Sequence, residues 1–123
     1  MFLVASNKVK QLLYVSYIGT VHPAEVAESK ADIRSLLAEL PRGFRLLVDL
    51  SQLDAMDLDC LPEIGNIMEL FDQAGVSQIV RVIPAPAQDI GFNILTIFHY
   101  PHHPRVITCQ SLAEAGKHLA RGR

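Results

Sequence analysis

No stretch of this 123-residue chain approaches the roughly 18 consecutive apolar residues that a membrane span requires. Cysteine is nearly absent. Cys60 and Cys109 stand far apart and outside any C-x-x-C spacing, which excludes a disulfide scaffold and a thiolate metal cluster. Two reduced, buried thiols fit a cytoplasmic protein. An excess of positive charge is also missing. Eleven Lys and Arg against 13 Asp and Glu give a formal charge of -2, and the basic residues are scattered, so nucleic acid is not an expected partner. A secretory leader is not expected, because Lys8 and Lys10 follow the apolar Met1–Ser6 stretch instead of preceding it. The G-x-S-x-G turn and the glycine-rich phosphate loop are both lacking, and with them the commonest signs of a hydrolase or a nucleotide enzyme. There is no repeat, low-complexity tract or linker. Residues 1–123 therefore read as one soluble domain, with no cofactor implied.

What is present is a pattern of alternating elements. Half of the residues are hydrophobic, as in a folded domain. Phe2–Ala5 and Gln11–Ile18 read as a strand hairpin, the second strand ended by Gly19 and apolar on both faces. Pro23 opens a helix in which Val26, Ile33, Leu36, Leu37 and Leu40 recur at helical spacing; Pro41 and Gly43 stop it. Phe44–Leu50 is a continuous apolar run, the signature of a strand covered on both sides. Ser51–Asp59 reads as an acidic loop. Leu61–Ala74 reads as a helix with Ile64, Ile67, Met68 and Phe71 inward and Gly75 as its cap. Val76–Ile83 is a strand, Ala87–Phe98 a helix, 99–104 a proline-bounded loop and Arg105–Thr108 a short strand. Ser111 and Glu114 match a capping box before the last helix. The order ββαβαβαβα predicts an α/β fold: one mixed, mostly parallel sheet of four or five strands with about four helices.

Three groups of residues could carry chemistry. Asp49, Asp54, Asp57 and Asp59 gather near the end of a central strand, where α/β sheets collect ligands. A phosphoacceptor site of the response-regulator kind also needs an acidic pair after the first strand and a lysine after the last. Gly19-Thr20-Val21-His22 and Cys109-Gln110 supply neither. Asp57 and Asp59 read instead as caps of the following helix. His99, His102 and His103 cluster in one loop, but Pro101 and Pro104 keep the adjacent pair from converging, so a solvated loop without metal is expected. His22 reads as a helix-start residue. Cys60 sits at a helix start, which lowers a thiol pKa, yet the nearby aspartates oppose that effect.

The element order, with Ala55-Met56-Asp57-Leu58-Asp59-Cys60-Leu61 in its middle, resembles the STAS domains, which include the anti-sigma-factor antagonists. In those antagonists a central strand runs into a Met-Asp-Ser-Ser-Gly type segment at a helix start, and a partner kinase phosphorylates one of the serines. Met56 and Asp57 match that segment, and Leu61 matches an apolar position. Leu58 and Asp59 stand where the serines would be, and Cys60 where the glycine would be. The run Val106–Ala115 resembles the family's closing strand and its Ser-Leu-Glu-Glu-Ala helix start. The resemblance implies a non-enzymatic module that binds another protein through Asp57, Leu58, Asp59, Cys60 and Leu61, without a phospho-switch. A homodimer through Phe2–Ala5 is a further expectation. The alternative is a small-ligand or lipid carrier, or a small enzyme. It would use a cavity near Pro84–Asp89 and His99–His103, since CRAL-TRIO-type lipid-binding domains share the general topology.

Overall fold

The computed structural model describes residues 1–83 and 100–120. The helix predicted over Ala87–Phe98 lies outside them, as do Pro84–Asp89 and His99. Five strands form one sheet: β1 (Phe2–Asn7), β2 (Leu12–Val21), β3 (Arg45–Met56), β4 (Gln78–Val82) and β5 (Arg105–Cys109). They lie side by side in chain order. β1 and β2 are an antiparallel hairpin, and every later pair is parallel. The helices are α1 (Pro23–Glu28), α2 (Lys30–Ala38), α3 (Cys60–Gln73) and α4 (Leu112–Ala120). The mixed, mostly parallel sheet predicted from the sequence is the one observed.

The apolar runs explain the layering. Every residue from Phe44 to Leu50 is buried, as a strand covered on both faces requires. Leu46, Val48 and Leu50 meet Val26, Ile33, Ile64, Ile67, Met68 and Phe71 in the larger core, under α1–α3. Leu47, Val80, Val82 and Cys109 meet Ala115 of α4 in a smaller core on the opposite face. Burying a Leu, Ile or Val side chain is worth about 1.5–3 kcal/mol. The two uninterrupted strand runs and the helical stripe therefore dominate the fold.

Several boundaries differ from the sequence reading: β1 runs two residues further, to Asn7, β2 starts one residue later, α3 is shifted by one residue, and β4 is shorter, Gln78–Val82. Gly19 does not end β2. Its φ of +65°, open to glycine without cost, lets the strand pass through register shifts against β3 and run on to Val21. The single helix expected after Pro23 is broken at Ser29, whose hydroxyl donates to the Val26 carbonyl at 2.7 Å and competes with the helical ladder. Ser51–Asp59 is not all loop. β3 continues to Met56, paired with Val21, and only 57–59 remain as the connection. The alternation of half-buried Ser51 and Leu53 with exposed Gln52 and Asp54 is the strand period that the acidic composition hides. β5 is one residue longer than expected.

The caps expected at Gly75 and Ser111 are present. Gly75, at φ +90°, closes α3 in a Schellman motif, its N–H donating to Asp72 at 3.0 Å and that of Val76 to Phe71 at 3.2 Å. Buried Arg45 ties distant segments together by donating to the carbonyls of Leu119 and Lys10. Ahead of α4, the Glu114 N–H donates to the Ser111 hydroxyl at 3.2 Å. Ser111→Ala removes that acceptor and is expected to lower stability by about 1 kcal/mol, read as a lower urea midpoint at unchanged slope.

Candidate functional site

β2 and β3 run in parallel to the same end of the sheet, so their exits are neighbours. Val21 leads into α1, and Met56 leads through Asp57–Asp59 into α3. Cys60, at the first position of α3, is fully buried and its thiol approaches the Val21 carbonyl at 3.5 Å. The start of α3 is thereby held against the end of β2. The loop closes on its own backbone, the Cys60 N–H donating to Asp57 and the Leu61 N–H to Leu58, both at 3.0 Å. Leu58 stands outward, 80% exposed, between the exposed Asp57 and Asp59. Leu61 is half-buried behind it.

The carboxylates do not act as the expected caps. Asp59 occupies the N-cap position of α3 but makes no side-chain capping bond, because its helical backbone (φ -65°, ψ -12°) turns the loop closure over to main-chain bonds. Asp57 instead faces His22, with Oδ2 to Nδ1 at 3.5 Å. His22 starts α1, as its position suggests, and its N–H donates to the Glu25 carboxylate at 2.9 Å. That bond, above all, lowers the Glu25 pKa, with the Met1 ammonium at 3.5 Å assisting. Half-exposed Lys30 and Glu63 join α2 to the first turn of α3 at 2.6 Å.

The acidic residues do not converge. Asp49 is buried within β3, where its carboxylate accepts from the Ser51 N–H at 2.9 Å and the Tyr14 hydroxyl at 3.2 Å. Asp54, Asp57 and Asp59 point to solvent. Among the described residues, no group of three or more His, Cys, Asp and Glu is arranged to hold a metal ion. Burial raises the Cys60 pKa and the Asp57 carboxylate raises it further, so the helix start does not activate this thiol. Among the described residues, no helix is long and apolar enough to cross a membrane.

The loop after 99 is not simply solvated. His102 donates its backbone N–H to Asp72 of α3 at 3.3 Å, and its Nδ1 lies 2.7 Å from the other carboxylate oxygen. Asp72 is only 3% exposed, so this contact supplies a polar partner to a buried group. Nothing local in the sequence marks it, because Asp72 reads as an outward helix position near a glycine cap. Nearby, buried Arg81 donates to Thr108 at 2.8 Å. With Tyr100 it borders a cavity between the sheet and α3 with room for about one water, near 20 Å³.

With this geometry in place, comparison with solved structures decides the architecture. The unphosphorylated anti-sigma factor antagonist SpoIIAA superposes over 100% of both chains, with a TM-score of 0.66 and 17% identity. The fold is SpoIIAA-like. A DUF3478-family protein from Shewanella loihica, described as having a SpoIIAA-like fold, gives a TM-score of 0.70 at 12% identity over 97% of this chain and 92% of its own. An anti-sigma factor antagonist from Mycobacterium paratuberculosis gives 0.58 at 17% identity over 98% and 93%. No protein-family model and no curated protein sequence matches the chain. The SpoIIAA-like topology is the arrangement that brings the β2 and β3 exits together at the 57–61 segment.

Two measurements check this part of the structure. His102→Ala leaves the buried Asp72 short of a partner and is expected to cost about 1–3 kcal/mol, more than removal of a solvated side chain. Cys109 is buried beside Glu114, and both effects push its thiol up to about 11 from 9.0. The unfolded chain therefore loses these thiol protons at lower pH than the native one. The Cys109 contribution is nil below about pH 9 and destabilises increasingly between pH 9 and 11, so Cys109→Ala lessens the alkaline loss of stability, to which Cys60, Tyr17 and Tyr100 also contribute.

Proposed function

We propose that the protein is a non-enzymatic, intracellular interaction module, and that it binds another protein through Asp57, Leu58, Asp59, Cys60 and Leu61. The observation that carries this reading is the position of Leu58. It is an apolar side chain 80% exposed, flanked by two exposed carboxylates, at the tip of a loop fixed by β3 on one side and α3 on the other. Recognition residues are characteristically carried on short loops held by a rigid scaffold. Cys60 and Leu61 serve as the anchors that hold the tip in place, and Leu58 and the aspartates as the contacting surface. The SpoIIAA-like fold supports the same reading, since two of the similar structures are described as anti-sigma factor antagonists.

Control by phosphate is not part of the proposal. The 57–61 segment has no hydroxyl. Ser51, the nearest upstream, lies inside β3, with its N–H bonded to the buried Asp49. A phosphate carries about -1.5 to -2 charges and three acceptor oxygens, whereas the Asp59 carboxylate carries about -1 and two. Asp59 leaves the loop permanently acidic, and binding is constitutive.

The test starts with affinity capture from the native host and identification of the partner, followed by titration calorimetry. Leu58→Ala is expected to weaken binding roughly tenfold, about 1.4 kcal/mol, with no change in unfolding midpoint. Asp59→Ser is expected to bind more weakly as well. Undiminished binding by both variants places the interface elsewhere, and phosphate on Ser51 that abolishes binding refutes constitutive behaviour.

A further inference from the structure

Among the described residues, β1 has β2 on one side only. Met1 and Ile18 exchange backbone bonds in both directions, and in an antiparallel ladder such pairs alternate. With the register Leu3↔Ser16 and Ala5↔Tyr14, the polar groups of Leu3 and Ala5 turn toward β2. Those of Phe2, Val4 and Ser6 turn outward. Native sheets usually blunt such an edge with lysine, proline, a bulge or a very short strand. β1 uses none of these: it is six uncharged residues, Phe-Leu-Val-Ala-Ser-Asn, in unbroken register. The opposite edge, β5, is five residues long and carries the exposed Arg105.

We infer that the β1 edge is the seam of a two-fold dimer, in which β1 pairs antiparallel with β1 of a second copy, Val4 opposite Val4 and Phe2 opposite Ser6. The row is self-complementary. Rotation about an axis through Val4 gives every outward N–H and C=O of these residues a partner, which is the closed, isologous arrangement of most dimers. No charge lies along the strand to repel its own copy. The charges at its ends are complementary in net: the turn carrying Lys8 and Lys10, of which Lys8 also pairs with Glu39, comes beside the partner's Met1 end, where Glu25 and Asp57 outnumber the Met1 ammonium. Apolar margins flank the seam. Phe2 and Val4 are half-buried, together with Leu36 and Leu37 of α2 and Leu40 just beyond it, and Leu3 is 45% exposed on the other face. These add side-chain area to the strand pairing, toward the roughly 1,200 Å² that a stable interface buries. Of the 57–61 segment only Asp57 lies toward the seam.

Sedimentation equilibrium of the full chain tests it. The wild type is expected to sediment at twice its 13.6 kDa chain mass, and Val4→Pro and Leu3→Lys at the single mass, with association weakened roughly tenfold or more. Val4→Pro removes an outward N–H and leaves the β1–β2 ladder whole, since proline is tolerated on an edge. Leu3→Lys places two like charges on one face near the axis. If Val4→Pro unfolds by circular dichroism, Leu3→Lys decides, because the exposed Leu3 side chain adds little to folding. A wild type that stays monomeric at every concentration overturns the inference. So does a dimer that the folded variants leave intact.

Discussion

The parallel pairing of β3 with β2, carried from Arg45 to Met56, is the constraint on which the rest of the structure depends. It buries Phe44–Leu50 between two helical layers and fixes the register that β4 and β5 inherit. It also carries both strands to the same end, so that α1 and α3 start beside each other. The contact between Cys60 and the Val21 carbonyl, and the facing of Asp57 and His22, are consequences of that shared exit. Shortening the pairing would separate the two helix starts and release the 57–59 connection from its support.

Much of this was legible in the sequence because burial leaves a strong pattern. A strand covered on both faces must be apolar throughout, and Phe44–Leu50 is. A helix on a sheet must repeat its apolar face, and Ile64, Ile67, Met68 and Phe71 do so. Gly75 and Ser111 mark helix ends through backbone chemistry that few other residues provide. What the sequence hid was set by tertiary contacts. Ser51–Met56 is polar enough to read as loop, and only pairing with β2 makes it strand. Asp72 and His102 are 30 residues apart and meet only when the 100–104 turn reaches α3.

For the candidate site the balance is different. The exposure of Leu58 follows from its position among acidic residues, and the aspartates that oppose a low Cys60 pKa are readable in the sequence, but the larger cause of its elevation is burial, which the fold supplies. The roles of Asp57 and Asp59 do not. Helix capping is the common use of aspartate at such a position, but it requires an extended backbone at the cap. Here the backbone is already helical at Asp59, which frees the carboxylate and leaves it on the surface. A change in two backbone angles thus decides whether the residue spends its charge on the fold or presents it outward.

The Arg45 clamp has a consequence for the order in which the chain assembles. Its guanidinium is buried, and its two carbonyl partners lie 35 residues before it and 74 after. The hairpin carbonyl is in place early, since β1–β2 closes a short loop. The Leu119 carbonyl arrives only after β4 and β5 have added to the sheet and α4 has docked. Until then water takes the place of that carbonyl on the guanidinium. Docking of α4 thus supplies the second acceptor of this buried charge and joins segments near the two ends of the chain through one side chain.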